Sequence, residues 1–504
     1  MKTKLIAALA ALIVVLVVVL VGVWALVLRS GGDDEARVSD PTPVDPDGTS
    51  SETSGPNGPA TDPNDPAFKA ALSEPVEDSV YPNVGDPSVD ALHYGLDLEW
   101  DPESSILTGN AEIAFRATST QEQFQLDLGK PLEVEAVTVD GNEVDYVHSG
   151  KDLVVKSPVQ MDRRYVAVID YAGTPEPAKA PTTRSDFTDI GFTITEDGEV
   201  WTMQEPYGAF TWYPVNDQPA DKALYDFTIT TPEPLIGVAN GTLVDRTDDD
   251  DQTVTTWHLD SPASSYLTTL AIGEYERTTE KSRSGVPLSY WTPVDDPQAK
   301  QALRYTPVAM DWLEDKLGPY PYDSLGSVVV PSESAMETQT MITYGNTEYA
   351  LSPETVVHEM AHHWYGDTVS PSDWSDVWMN EGMAMYLQGA FAAQQSHRTV
   401  DKVMEEYAVV ERSSRRIDGP PADYDPRTFG QNNIYYGPAL MWHELRKKIG
   451  DDRFWAMVKA WPSVHKDGNT DRKEYLAWIE KQTGEELTAF FDDWLLGKKT
   501  PKRR

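Results

Sequence analysis

The chain has 504 residues, with 41 basic side chains against 82 acidic ones and a formal net charge of −41. That balance argues against nucleic acid as a partner, because phosphates are met by a basic footprint, and it is read as solubility and mutual repulsion. No cysteine is present, so disulfides and thiolate metal ligands are excluded and any metal must be held by His, Asp or Glu. The length allows two or three domains and a large buried core.

Lys2 and Lys4 precede an unbroken apolar run of 24 residues, Leu5 to Leu28. As a helix it would be about 36 Å long, enough to cross a bilayer core of about 30 Å. Positive charge before it and Asp33, Asp34 and Glu35 after it place the N-terminus in the cytoplasm and the body outside the cell membrane. Residues 5–28 are therefore read as a single-pass transmembrane anchor or uncleaved signal. The alternative is a cleaved signal peptide and a secreted body, although such apolar cores usually run to about 7 to 15 residues. From Ser30 to Asn83 the chain is dominated by Pro, Asp, Ser, Thr and Gly, which predicts a disordered tether over 30–83 with a reach of roughly 40 Å.

Period-two alternation begins next. Tyr94, Leu96, Leu98 and Trp100 share one face, followed by Ala111, Ile113 and Phe115 and by Phe124, Leu126 and Leu128. Asp140-Gly141 reads as a hairpin turn. The pattern runs to about Tyr275 and predicts an N-terminal β-sandwich-like domain over 84–277. After Gly285 the character changes: Ala302 to Leu317 has helical spacing, Ser327 to Val330 reads as a strand, and most segments after Glu354 read as helices, including Ala439 to Ile449, Arg453 to Ala460 and Asp471 to Thr483. The expected fold class is α+β multidomain, the β-domain being followed by a mainly helical domain over 278–504.

Within that second part stands His358-Glu359-Met360-Ala361-His362. Ser352 and Pro353 suit an N-cap and first helical residue, which sets His358 and His362 one turn apart on one face. Two neutral imidazoles at that spacing suit Zn²⁺, with Glu359 beside them to hold a water without binding the metal. A catalytic zinc takes a third protein ligand. Glu381 offers it after an eighteen-residue gap, at the start of an Ala-rich helical segment reaching about His397.

Read through His363-Trp364-Tyr365-Gly366-Asp367 and Asp373-Trp374-Ser375-Asp376-Val377-Trp378-Met379-Asn380-Glu381-Gly382, the chain resembles the zinc aminopeptidases of the aminopeptidase N family, gluzincins with H-E-x-x-H and a glutamate eighteen residues on. Trp212 to Ala223 and Asn240-Gly241 resemble the family's N-terminal β-domain. The resemblance covers about residue 90 to the C-terminus and implies a thermolysin-like catalytic domain, in a short form without the family's large C-terminal helical domain. It also implies His358, His362 and Glu381 as ligands of one zinc ion and Glu359 as general base.

Restriction to the N-terminal residue of a peptide needs a group for the free α-ammonium, and carboxylates are the natural choice. Ser334-Ala335-Met336-Glu337-Thr338 resembles the family's G-x-M-E-N element, with Ser for Gly and Thr for Asn, and implies Glu337 as an ammonium ligand. Gln204-Glu205-Pro206-Tyr207-Gly208-Ala209 implies Glu205 as its partner. The family's oxyanion tyrosine falls in Tyr435-Tyr436-Gly437-Pro438. The downstream residues Ala439, Leu440, His443 and Arg446 align Tyr435 with that role, Tyr436 being a packed neighbour, and Pro438 reads as a helix start. The expected activity is zinc-dependent hydrolysis of the N-terminal peptide bond of peptides. Alternatives are another zinc hydrolase, of endopeptidase or epoxide hydrolase type, and a catalytically inactive, zinc-stabilised surface binding protein.

Overall fold

A computed structural model describes residues 61–249 and 251–503. The apolar run 5–28 and the tether as far as residue 60 lie outside the described residues. Among the described residues no helix is long and apolar enough to cross a membrane.

Alternating side chains build the first lobe, as the sequence pattern predicts. In the strand Val89–Asp101 the side chains of Tyr94, Leu96, Leu98 and Trp100 are buried, because successive residues of a strand face opposite sides and only one side meets the core. This strand lies in an eight-stranded sheet, parallel to Lys222–Pro232 and antiparallel to Ile106–Ala117. A five-stranded sheet including Val200–Met203 and a three-stranded sheet including Phe124–Asp127 complete the β-lobe. The hairpin at Asp140-Gly141 is present: Val139 pairs with Asn142, and the two turn residues have φ of 49° and 75°. Positive φ at both centres is the primed turn whose twist matches the strands it joins, which a glycine at the second place permits.

Residues 61–83 correct the tether expectation. Phe68 and Ala71 are buried in a small cluster with Leu92, Ala114 and Leu224, and Phe68 stacks on His93 with ring centroids 5.2 Å apart. Farther along, Ser79 binds Asp373 through its backbone N–H (2.7 Å) and its hydroxyl (2.8 Å), and the Tyr81 hydroxyl donates to the Pro426 carbonyl at 2.9 Å. The segment is poor in apolar residues on average and leaves Leu72 and Val76 exposed, but Phe68 and Ala71 fall where the body offers a pocket. Its short polar side chains satisfy backbone groups that would otherwise stay in water.

The strand Tyr275–Lys281 straddles the boundary expected at 277 and opens a second five-stranded sheet. There Pro287–Pro293, Leu325–Val330 and Met341–Gly345 run parallel, with the two-residue strand Ala335–Met336 antiparallel at the edge. Helices follow. The predicted helix over 302–317 is divided into Pro297–Leu303 and Thr306–Leu317, each started by a proline at its first or second position. Pro353–His362, Trp378–Gln395, Val400–Asp418, Asn433–Ile449, Asp451–Val464, Arg472–Thr483 and Thr488–Leu495 complete the lobe. The molecule is thus an α+β protein, a β-rich lobe followed by a mainly helical one. The β-lobe core continues through Val328, Met336, Trp374 and Ile434 of the second lobe, so the seam between the lobes is packed side chain against side chain.

Candidate active site

The helix Pro353–His362 begins as its sequence predicts. The Ser352 hydroxyl accepts from the Thr355 N–H at 3.2 Å, and Pro353 occupies a first-turn position whose missing N–H costs nothing. His358 and His362 then share a face, with ring centroids 4.9 Å apart. Across from them Glu381 projects from the first turn of Trp378–Gln395, a helix that starts before the predicted point at Glu381 and ends at Gln395. Glu381 Oε2 lies 3.2 Å from His358 Nε2 and 3.4 Å from His362 Nε2. A tetrahedral ion with ligand distances of about 2.05 Å has ligand-to-ligand edges of about 3.3 Å, so the spacing of these atoms fits zinc. His362 Nδ1 lies 3.2 Å from the Tyr365 carbonyl, an orientation that turns Nε2 toward the shared point. The neighbouring His363 faces away and meets the Tyr320 hydroxyl at 2.7 Å.

Four buried glutamates surround this point. Ligand atoms of Glu205, Glu337 and Glu381 lie within 4.8 Å of one another, as do those of Glu337, Glu359 and His362. Burial pushes the Glu205 carboxyl well above the ordinary range, and Glu337 and Glu381 push it further. Glu359 is raised by burial and by Glu337, and Glu337 by burial, with His362 opposing. Burial would raise Glu381 too, but His362 and His358 hold it well below the usual carboxylate range. Burial would lower His362, yet Glu337 and Glu381 keep it well above its ordinary value, whereas His358 is lowered by burial. Glu205 Oε1 and Glu337 Oε1 are buried without a hydrogen-bond partner. Concentrated buried carboxylate with oxygens that lack hydrogen-bond donors is the environment of a cation.

Glu337 and Glu205 are placed from behind. Glu337 follows the edge strand Ala335–Met336, and the turn beyond it is held by the β-lobe: Asn240 Nδ2 donates to the Gln339 carbonyl at 2.7 Å and Gly241 N–H to Thr340 Oγ1 at 2.8 Å. Thr338, where the family resemblance expects Asn, turns its hydroxyl to Thr343 Oγ1 at 2.9 Å and to the Met341 carbonyl, which ties it to the sheet. Glu205 is set by Gln204, whose Nε2 donates to the carbonyls of Ser265 (3.0 Å) and Thr268 (2.9 Å) and whose Oε1 accepts from Trp212 Nε1 at 3.0 Å.

Tyr435 is brought to the same place, its ring centroid 6.1 Å from that of His358. Tyr436 points elsewhere and packs edge-on against Tyr407 at 4.9 Å. The expectation that Pro438 begins the helix is corrected: the helix starts at Asn433 and Pro438 lies inside it. Asn433 Nδ2 anchors the first turn to the carbonyls of Asp418 (3.1 Å) and Gly419 (3.3 Å), and the proline forfeits a single helical bond near the start while its ring fills the space beside Gly382. One neighbour carries no signal in the sequence. Arg184, in a polar loop of the β-lobe, reaches the Tyr435 hydroxyl at 3.5 Å.

A β-lobe and a helical lobe meeting at an H-E-x-x-H helix define the class of two-lobed, thermolysin-like metallopeptidase folds. The chain belongs to peptidase family M1: residues 90–267 match the peptidase M1 N-terminal domain and residues 301–494 the peptidase family M1 domain. It is 25% identical to an aminopeptidase N of Streptomyces lividans over 81% of its length and 50% of that relative's. It is 24% identical to a glutamyl aminopeptidase of Bos taurus over 80% of its length and 46% of that relative's. The chain therefore spans about half the length of these curated relatives. In fold it is similar to an M1 zinc metallopeptidase from Deinococcus radiodurans, with a TM-score of 0.76 at 24% identity over 85% of this chain and 99% of that one. A form of M1 zinc metallopeptidase from the same organism bound to a Tyr-Ser-Ala substrate matches with the same TM-score at 23% identity.

Proposed function

We propose that the chain is a zinc-dependent aminopeptidase that removes the N-terminal residue of peptides. One observation carries the exopeptidase reading: Glu205 and Glu337, one from each lobe, present buried carboxylate oxygens without a hydrogen-bond partner beside the three zinc donors. An α-ammonium would neutralise them and be held at a fixed distance from the histidine pair, which admits only the first peptide bond to the reacting position. His358, His362 and Glu381 would hold the zinc, whose chemistry when bound is to polarise water and the scissile carbonyl. Glu359, buried beside them, takes the proton of the attacking water and returns it to the leaving amine. Tyr435 donates its hydroxyl to the oxygen on which negative charge develops.

The test is a panel of aminoacyl reporters and short peptides, free or N-acetylated, with a chelator and with zinc restored. Activity that needs zinc and is lost on acetylation supports the proposal, whereas equal cleavage of free and acetylated peptides makes the chain an endopeptidase. We further propose that residues 5–28 anchor the chain in the cell membrane with the catalytic body outside. When the full-length chain is expressed, recovery of its body in the soluble fraction, shortened by cleavage near residue 30, would favour the secreted form instead.

A further inference from the structure

We infer that Arg184 is a positioning residue for Tyr435, held in place by a clasp that the β-lobe closes on the chain just ahead of the Tyr435 helix. The inference rests on the reading of Tyr435 as the oxyanion donor. The clasp joins residues 181–184 to residues 429–431. Phe429 N–H donates to the Pro181 carbonyl at 2.9 Å, and Thr182 Oγ1 to the Phe429 carbonyl at 2.6 Å. Gln431 Nε2 donates to Thr183 Oγ1 at 3.0 Å, and Arg184 Nη1 to the Gly430 carbonyl at 3.1 Å. These contacts fix the guanidinium at both ends, since its Nε and Nη2 also donate to Asp186 Oδ1 and Oδ2 at 3.2 and 2.6 Å.

From that fixed position Arg184 Nη1 faces the Tyr435 hydroxyl oxygen at 3.5 Å. The contact is long for a hydrogen bond, but short enough for a cation to orient a phenol dipole. A guanidinium has only donors, so the phenol oxygen must accept on that side and its own proton is turned the other way. Orientation of this kind is complete before the substrate arrives and strengthens the phenol as a donor where charge develops, which is an effect on turnover and not on binding. Asp186 neutralises the guanidinium and occupies one of its edges, so the group is poorly suited to capture a carboxylate of the substrate.

A double-mutant cycle tests this. Arg184→Ala should lower kcat about tenfold and leave KM within about twofold, and the loss should disappear when the same change is made in Tyr435→Phe. Arg184→Lys keeps a charge near the hydroxyl without the two-pronged hold on Asp186; it should recover part of the rate, and it carries the cycle if Arg184→Ala does not fold. A loss of equal size in both backgrounds, or a change confined to KM, overturns the role of Arg184 and leaves that of Tyr435 standing. A fully active Tyr435→Phe enzyme removes the reading of Tyr435 itself.

Discussion

A Cβ placed on Gly382 would lie 2.2 Å from the Cβ of Pro438. The helix that presents Glu381 and the helix that presents Tyr435 therefore cross at a point where one of them has no side chain. The metal-donor side of the site and the side of the proposed oxyanion donor share this crossing. Gly382→Ala must push the two helices apart, so it should cost about 1–3 kcal/mol of stability and lower kcat more than it changes KM. Thermal melting read beside steady-state kinetics checks both parts; an unchanged melting temperature with full turnover would show that the crossing relaxes freely.

Proton transfer and metal binding separate by residue. Glu359→Gln should keep zinc and lose at least ~10² in rate, since only the proton exchange is removed. His362→Ala removes one of three donors and should lose the metal as well as the rate. Zinc content measured on the same samples as activity distinguishes the two, and a fully active Glu359→Gln enzyme would rule out the mechanism.

Tyr435→Phe should lower turnover by about 10² with little change in substrate affinity. Tyr436→Phe should be nearly silent, because that ring packs on Tyr407, away from the metal donors. Paired kinetics showing the reverse pattern would transfer the role to Tyr436.

A surface network on the β-lobe gives a pH-dependent stability. His258 lies 2.6 Å from Asp226 and 2.8 Å from Asp260, and Asp226 also meets His93 at 2.8 Å. The hydrogen bond to Asp226 raises His258 to about 9. A histidine whose folded value exceeds its unfolded value of about 6.5 adds stability that is fully present below 6.5 and is lost as pH rises through the folded value. His258→Gln should therefore lower the melting temperature at pH 6 and have almost no effect at pH 10. A difference that stays constant across that range would show that packing, not charge, is what the histidine supplies.

The histidine pair, Glu381 and the Asp140-Gly141 hairpin were legible because each depends on local spacing: a helical turn, a following helix, a two-residue loop. Glu337 and Glu205 came from motif resemblance alone, since nothing in either segment says that the two meet; Asn240 holds the turn after Glu337 from across the seam, while Gln204 fixes Glu205 within the β-lobe. The approach of Arg184 to Tyr435, 251 positions away, left no trace in a loop whose composition is that of a solvated turn. Proline misled in one place, because Pro438 marks a helix start in isolation but lies inside a helix whose first turn Asn433 anchors and whose proline ring packs against Gly382.

The gathering of Glu205, Glu337, Glu359 and Glu381 in one buried volume has a cost during folding, and part of it is mutual repulsion among carboxylates. Stability and activity should consequently oppose each other at these positions. In the presence of a chelator, Glu205→Gln and Glu337→Gln should melt at higher temperature than the parent chain while cleaving peptides more slowly. A screen that selects this protein for thermal robustness alone would then drift toward losing its site, beginning with the two glutamates proposed to receive the substrate.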